Sequence, residues 1–378
     1  MNTPFRYDYV GSFLRPAALK QARADFQNGA IDAEALKAVE DEAIRDLVAK
    51  QKAAGYHVIT DGEFRRATWH LDFMWGFNGV GHSPTKTGLP FHGEAAMLDD
   101  TYLTGKVSLD SHPFVEHFKF VKALEDENTV AKLTIPAPAQ FIEQMIMPFA
   151  LENTRKYYAD NRELAEDIAA GYKKFIADVY AAGCRNLQFD DCSWGMLVDP
   201  MACMYFGTDE KGLETIKEQL LELNNAAISG KPDDLVINTH VCRGNFHSTY
   251  ANSGAYDGVA QTLLAAVHDH RAVVEADLKL AQRGCEPVGK SGELCKVCGL
   301  LIREAVPGGA RKPQRAAASS CPTRKSSPSR PVLPGSAPEK SSSPTITMAR
   351  AGASATTRET CSYASAPQAW RAWAAPGS

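Results

Sequence analysis

Between residues 5 and about 265 the chain alternates short β-rich runs with longer helical patterns, and this alternation restricts the fold more than any other feature. The β-rich runs are YDYVGSF (7–13), HVITDGE (57–63), AKLTIPAP (131–138), NLQFDD (186–191) and LVINTHVC (235–242). Helical spacing of apolar residues fills intervals near 32–54, 161–182, 210–228 and 256–267. Strands separated by crossover helices pair in parallel. Each run ends in polar or special residues: Gly11 and Ser12, Asp61 and Glu63, Asp190 and Asp191, His240 and Cys242. Parallel α/β folds keep their chemistry at the carboxyl ends of the strands. No G-x-G-x-x-G follows the first run, which weighs against a dinucleotide fold. The expected architecture is an α/β (β/α)8 TIM barrel, incomplete at its C-terminal strands.

The incompleteness follows from what comes after residue 265. HDHRAVVEADLKLAQRG (268–284) carries a pattern compatible with helix, so residues 266–304 are expected to be partly helical. From 305 to 378 the chain is Ala, Ser, Pro, Gly and Arg without a period. That composition buries too little apolar surface to offset its ordering entropy, and disorder is expected there. The three segments are therefore 1–265, a barrel; 266–304; and 305–378, a low-complexity tail. Charge divides along the same line, with ten Lys and Arg against two Glu in 305–378 and an acidic remainder, although the whole chain carries only −4.

The acidic part shows no basic stripe, so a small polar substrate is expected and nucleic acid is not. No run of about 18 apolar residues occurs and the first residues lack an apolar signal core, from which no membrane contact and a cytoplasmic location are expected. Nine cysteines over 378 residues lack the density of a disulfide scaffold, favouring reduced thiols or metal ligands.

Five stretches could carry chemistry. In a strand, residues two apart face the same side, so His240 and Cys242 could share one metal ion, although an isolated H-x-C is also an ordinary core or surface pair. Glu63, in TDGEFRRATWHLDFMWGF, reads either as a helix-capping acid or as a carboxylate gripping a substrate amine, with Trp69, Phe73, Trp75 and Phe77 walling the pocket. In LQFDDCSW, Asp190 is expected to point inward as the acid of the site while Asp191 bonds backbone or caps the next helix. Cys192 reads as a buried structural thiol. Gly11 and Ser12 offer unobstructed backbone to a ligand, or a plain turn before Pro16. Cys285, Cys295 and Cys298 include a single C-x-x-C, a weak zinc signal.

Taken in order, VGSFLRP, GYHVITDGEFRR, LQFDD and NTHVCRGNF resemble the cobalamin-independent methionine synthase family, and most closely its short single-barrel members. The resemblance covers residues 5 to about 265. It implies a zinc cofactor held by His240 and Cys242, homocysteine as the thiol substrate, its amine met by Glu63 and Asp190, and backbone contacts from Gly11 and Ser12. It also implies a methyl donor such as methyltetrahydrofolate, with Asp190 as the catalytic acid residue. Zinc would stabilise the thiolate, the nucleophilic form of a group whose free pKa is about 8.5.

Three departures shape these expectations. The family's folate-stacking Trp has no counterpart between Pro136 and Gln140, which leaves the donor open. The family's remaining zinc ligands, a Glu and a Cys, fall beyond residue 265, where no segment matches. The tail stands where the last barrel strands belong, as a shift of reading frame would leave it. The leading expectation is thus a zinc-dependent S-methyltransferase, impaired in this chain. The rivals are a thiol alkyltransferase using another carbon donor, and a non-catalytic truncated barrel.

Overall fold

A computed structural model of the chain describes residues 9–85, 88–91, 94–247, 249–265, 270–274, 287–288 and 294–295. All of them belong to one of the chain's two units; the other, 305–360, lies outside them, and with it most of the expected tail.

Helices form where capping and an apolar stripe coincide. After α1 (Ala17–Gln27), α2 (Ala33–Ala53) starts at Asp32, whose carboxylate accepts the Ala35 N–H at 2.8 Å, and ends with Lys50 and Lys52 against its negative pole. Strand β1 (Val58–Ile59) and a single turn, α3 (Leu71–Met74), follow. An antiparallel insert comes next: β2 (Asn78–Ser83) pairs with β5 (Asp100–Ser108), and β3 (Leu89–Phe91) with β4 (Glu94–Ala96). The main alternation then resumes with α4 (Pro113–Lys122), β6 (Val130–Ala131), β7 (Leu133–Pro136), α5 (Pro138–Ile146) and α6 (Pro148–Thr154). It continues through α7 (Asn161–Ala181), β8 (Asn186–Asp190), α8 (Ser193–Leu197), α9 (Ala202–Tyr205), α10 (Glu210–Ile228), β9 (Val236–Val241) and α11 (Asp257–Ala265). Helix α7 shows the stripe plainly: Leu164, Ile168, Tyr172, Phe175, Ile176 and Val179 are all buried, behind an Asp160 cap that accepts from two backbone N–H groups.

Strand β10 (His270–Val274) pairs in parallel with β9, His270 opposite Ile237 and Val274 opposite Val241. Over 270–274 this corrects the expectation of helix, since β-branched Val273 and Val274 next to an existing strand edge are better used in a ladder than in a solvated helix; 268–269 and 275–284 lie outside the described residues. Against the expected incompleteness, residues past 265 thus supply one strand beside β9. Two short strands, β11 (Pro287–Val288) and β12 (Leu294–Cys295), pair antiparallel.

Parallel ladders join β7, β8, β9 and β10 in that order, and join β1 to β6. Only Lys132 separates β6 from β7, so the two sets run on through one chain segment. The run expected as a first strand at 7–13 is reduced, among its described residues, to a parallel bridge from Ser12 to Gly62, with the Phe13 N–H on the Gly62 carbonyl at 3.1 Å. The result is an α/β fold whose parallel strands neighbour one another in chain order.

The two sides of this sheet differ. Leu133, Ile135, Leu187, Phe189, Ile237 and Val241 belong to the apolar core, in which the rings of Phe189 and Tyr172 of α7 meet edge to face. Residues in the alternate positions are polar and buried: Lys132, Thr134, Asn186, Gln188, Asp190, Asn238 and His240. They bond to one another across strands, as when Asn238 donates to Asn186 at 3.2 Å and Lys132 to Gln188 at 2.9 Å. Such bonds offset the cost of burying a polar column, in which the Asn186 amide nitrogen is left without a partner among the described residues.

Candidate active site

The parallel register sets Asp190, the last residue of β8, opposite His240 of β9. Asp190 Oδ1 lies 2.9 Å from His240 Nδ1, with both side chains buried, and accepts a second hydrogen bond from Gln188 Nε2 at 2.7 Å. The same Gln188 amide donates to the Val10 carbonyl at 2.8 Å, tying the segment before Gly11 to the Asp190 carboxylate. Gly11 has φ +106°, open to glycine but strained for other residues, and a Cβ there would come 3.0 Å from Thr134 and 3.1 Å from Thr60. Its carbonyl accepts the Thr60 hydroxyl at 2.6 Å. Ser12 is exposed at the edge of this segment.

Glu63 is buried and has φ +61°, unusual for a residue with a side chain. Several contacts hold it there: its N–H donates to Asp61 Oδ1 at 2.8 Å, and Arg15 Nη2 reaches its carbonyl at 3.1 Å. Its Oε1 accepts from Thr134 Oγ1 at 3.0 Å and from Arg66 Nη1 at 3.2 Å. Arg66 is itself fixed, donating to the Thr134 carbonyl at 2.6 Å with its guanidinium 4.5 Å from the centre of the Phe114 ring. Burial raises the Glu63 carboxyl above the ordinary carboxylate range; Arg66 opposes that rise, and the nearby Asp190 and Asp61 carboxylates add to it. Glu63 therefore senses the Asp190 carboxylate within one buried polar region.

Cys242 follows β9 and Cys192 follows β8, and their Sγ atoms are 2.9 Å apart. Both are partly exposed, which corrects the reading of Cys192 as a buried structural thiol. Asp191 is fully buried and accepts from Ser193 Oγ, Trp194 Nε1 and Asn224 Nδ2, and the backbone N–H of Ser193 at the start of α8 bonds it as well, the backbone contact expected from the sequence. The aromatic wall expected near Glu63 also changes. Phe73 and Phe77 lie in the hydrophobic core, Trp75 stacks on His82 and donates to Thr101 Oγ1, and Trp69 stacks on His70. Apolar bulk in a helical turn was drawn to the core because burying such rings is worth more there than at a polar rim.

Sequence reasoning passed over Arg66, Thr134, Lys132 and Gln188. Two of them had a signal: Lys132 is a charge inside an apolar strand, and Gln188 sits two residues before Asp190, on the same side.

The donor set suits zinc in kind. A carboxylate on His240 Nδ1 directs the opposite nitrogen to any metal the ring binds, and the Cys242 sulfur accepts the Gly244 N–H at 3.5 Å, as thiolates do. Among the described residues, no three His, Cys, Asp or Glu side chains are grouped so as to hold a metal ion. Cys285 and Cys298 lie outside the described residues. No helix among the described residues is long and apolar enough to cross a membrane.

The chain matches no family model. It is 38% identical over 274 residues to the uncharacterised protein YxjH of Bacillus subtilis, covering 72% of this chain and 71% of that one. Over 270 residues it is 24% identical to the 5-methyltetrahydropteroyltriglutamate–homocysteine methyltransferase of Corynebacterium glutamicum (strain R), covering 69% of this chain and 32% of that enzyme. Among solved structures it is similar to a candidate vitamin-B12-independent methionine synthase of Listeria monocytogenes. The TM-score is 0.55 at 34% identity, over 72% of this chain and 80% of that one.

Proposed function

Because the chain belongs to the cobalamin-independent methionine synthase family, we propose that it descends from, and retains the site of, a zinc-dependent S-methyltransferase that methylates the thiol of homocysteine. The observation that carries this reading is the Asp190–His240 pair at the ends of adjoining strands, with Cys242 two residues further on. The proposed fold is a (β/α)8 barrel incomplete at its C-terminal strands, and the proposed donor is a methyltetrahydrofolate.

In this reading His240 and Cys242 hold the metal. When bound, zinc keeps the substrate sulfur as a thiolate near neutral pH. The chain's own residues do the rest. Asp190 holds the imidazole in one tautomer through Oδ1, and its second oxygen meets the substrate amine. Glu63 has Oε1 committed to Arg66 and Thr134, which leaves Oε2 as the acceptor for the same ammonium group. Arg66 opposes the rise that burial imposes on that carboxyl and so favours its charged form. Gly11 and Ser12 border the amino-acid end of the substrate with backbone and hydroxyl.

The test is methionine formation, followed by mass spectrometry, from homocysteine with methyltetrahydrofolate or its polyglutamate in the presence of zinc. Two proteins are compared: this chain, and a version whose residues beyond 265 are returned to the alternative reading frame. Weak turnover by this chain and strong turnover by the restored one are expected, lost in both on Cys242→Ser. No methionine from either with any folate donor, alongside alkylation of homocysteine by another carbon donor, would move the assignment to a thiol alkyltransferase.

A further inference from the structure

We propose that Cys192 and Cys242 are a modification site: they close into a reversible intramolecular disulfide that withdraws Cys242 from service as a thiolate.

The two sulfurs, 50 residues apart in sequence, stand 2.9 Å apart. A disulfide needs about 2.05 Å, so less than about 1 Å of travel remains. The backbone on both sides is already drawn together. The Asp191 N–H donates to the His240 carbonyl at 2.8 Å, one residue before Cys192 and two before Cys242. On the other flank α8 lies directly on the Cys242 peptide: a Cβ on Gly195 would fall 2.3 Å from the Cys242 carbonyl oxygen, a distance that only glycine permits. Both thiols are partly exposed and open to a small oxidant, whereas Cys184 and Cys203 are buried.

The chemistry balances with a low-molecular-weight disulfide as oxidant. One protein thiolate attacks a sulfur of the oxidant and expels one thiol, leaving a mixed disulfide. The second protein thiolate attacks the protein sulfur of that mixed disulfide, forms the Cys192–Cys242 bond and expels the second thiol. Two electrons pass to the oxidant, and the two protein protons leave on the released thiols. A dithiol reverses both steps. A sulfur in a disulfide cannot ligate as a thiolate, so oxidation also blocks metal uptake, a consequence that rests on the assignment of Cys242 as a ligand.

The experiment uses the full chain in glutathione buffers of increasing disulfide fraction, quenched with a maleimide and mapped by peptide mass spectrometry. The expected result is a cross-linked peptide pair containing Cys192 and Cys242, reversed by dithiothreitol, with Cys184 alkylated only after unfolding. In Cys192→Ser the cross-link should vanish and Cys242 should carry glutathione instead. Separate glutathione adducts on Cys192 and Cys242 in the unmodified chain, or pairing of either with another cysteine, would overturn the proposal. A parallel arm follows zinc uptake with a chromophoric chelator, where oxidised chain should bind at least about tenfold more weakly than reduced chain. A cross-link with unchanged zinc uptake would uphold the disulfide and remove Cys242 as a ligand, so the two readings fail separately.

Discussion

Asp190 Oδ1 and His240 Nδ1, 2.9 Å apart, bridge the ends of two parallel strands and bind an imidazole to a carboxylate inside a buried polar column. The pair fixes which ring nitrogen faces outward, and the predictions about the metal begin from it.

Asp190→Asn should lower zinc affinity by about 10–100-fold, because the amide no longer imposes the tautomer or strengthens the ring as a donor. Competition with a chromophoric chelator measures it. Affinity equal to that of the unmodified chain would show that His240 does not ligate through the ring Asp190 holds.

Arg66 is the counter-charge to a buried carboxylate. Arg66→Met should cost about 3–5 kcal/mol of stability, since it removes the counter-charge of a buried carboxyl and leaves only Thr134 bonded to it. The double variant Glu63→Gln/Arg66→Met should recover a large part of that loss. Urea unfolding of the three proteins decides it; additive losses in the double variant would mean that the two side chains stabilise the fold independently.

Glu143 on α5 is pushed up to about 8 by burial; hydrogen bonds from Ser193 and Gln140 oppose the rise and the Asp191 carboxylate adds to it. Its folded form prefers the proton, so its contribution is fully present below the ordinary Glu range and is lost as pH rises through about 8. A displacement of this size corresponds to on the order of 5 kcal/mol. Glu143→Gln should therefore match the unmodified chain near pH 4 and exceed it in stability at pH 8 and above. Denaturant unfolding at both pH values checks the divergence, and a constant difference across the range would contradict it.

The chain as purified should contain well under one zinc per molecule, because two protein ligands leave half of a tetrahedral shell to solvent. Elemental analysis measures this. Stoichiometric zinc would direct attention to Cys285, Cys295 and Cys298, to be tested by serine substitution with zinc content as the readout.

Local physics made much of the architecture legible. Helices at Ala33–Ala53, Asn161–Ala181, Glu210–Ile228 and Asp257–Ala265 stand where the apolar spacing placed them, because a helix stripe and its caps are written within a few consecutive turns. The strands ending in Asp190 and carrying His240 were equally visible, as compact apolar runs closed by polar residues. The antiparallel insert of β2 and β5 was not read, although Thr101, Leu103 and Val107 carry its alternation; the mixed polar residues between them weakened the pattern. His270–Val274 went the other way: its composition allowed a helix, and only the open edge of β9 made it a strand.

What the sequence alone determined was the inventory of the site: two carboxylates, an imidazole and a thiol at strand ends, and an α/β order to present them. Tertiary structure decided who meets whom. Asp190 finds His240 and Cys192 finds Cys242 across 50 residues each, and Arg66 reaches Thr134 across 68. Those pairings depend on the register between neighbouring strands and on how closely α8 can approach β9, and neither quantity exists in a chain until its strands have paired.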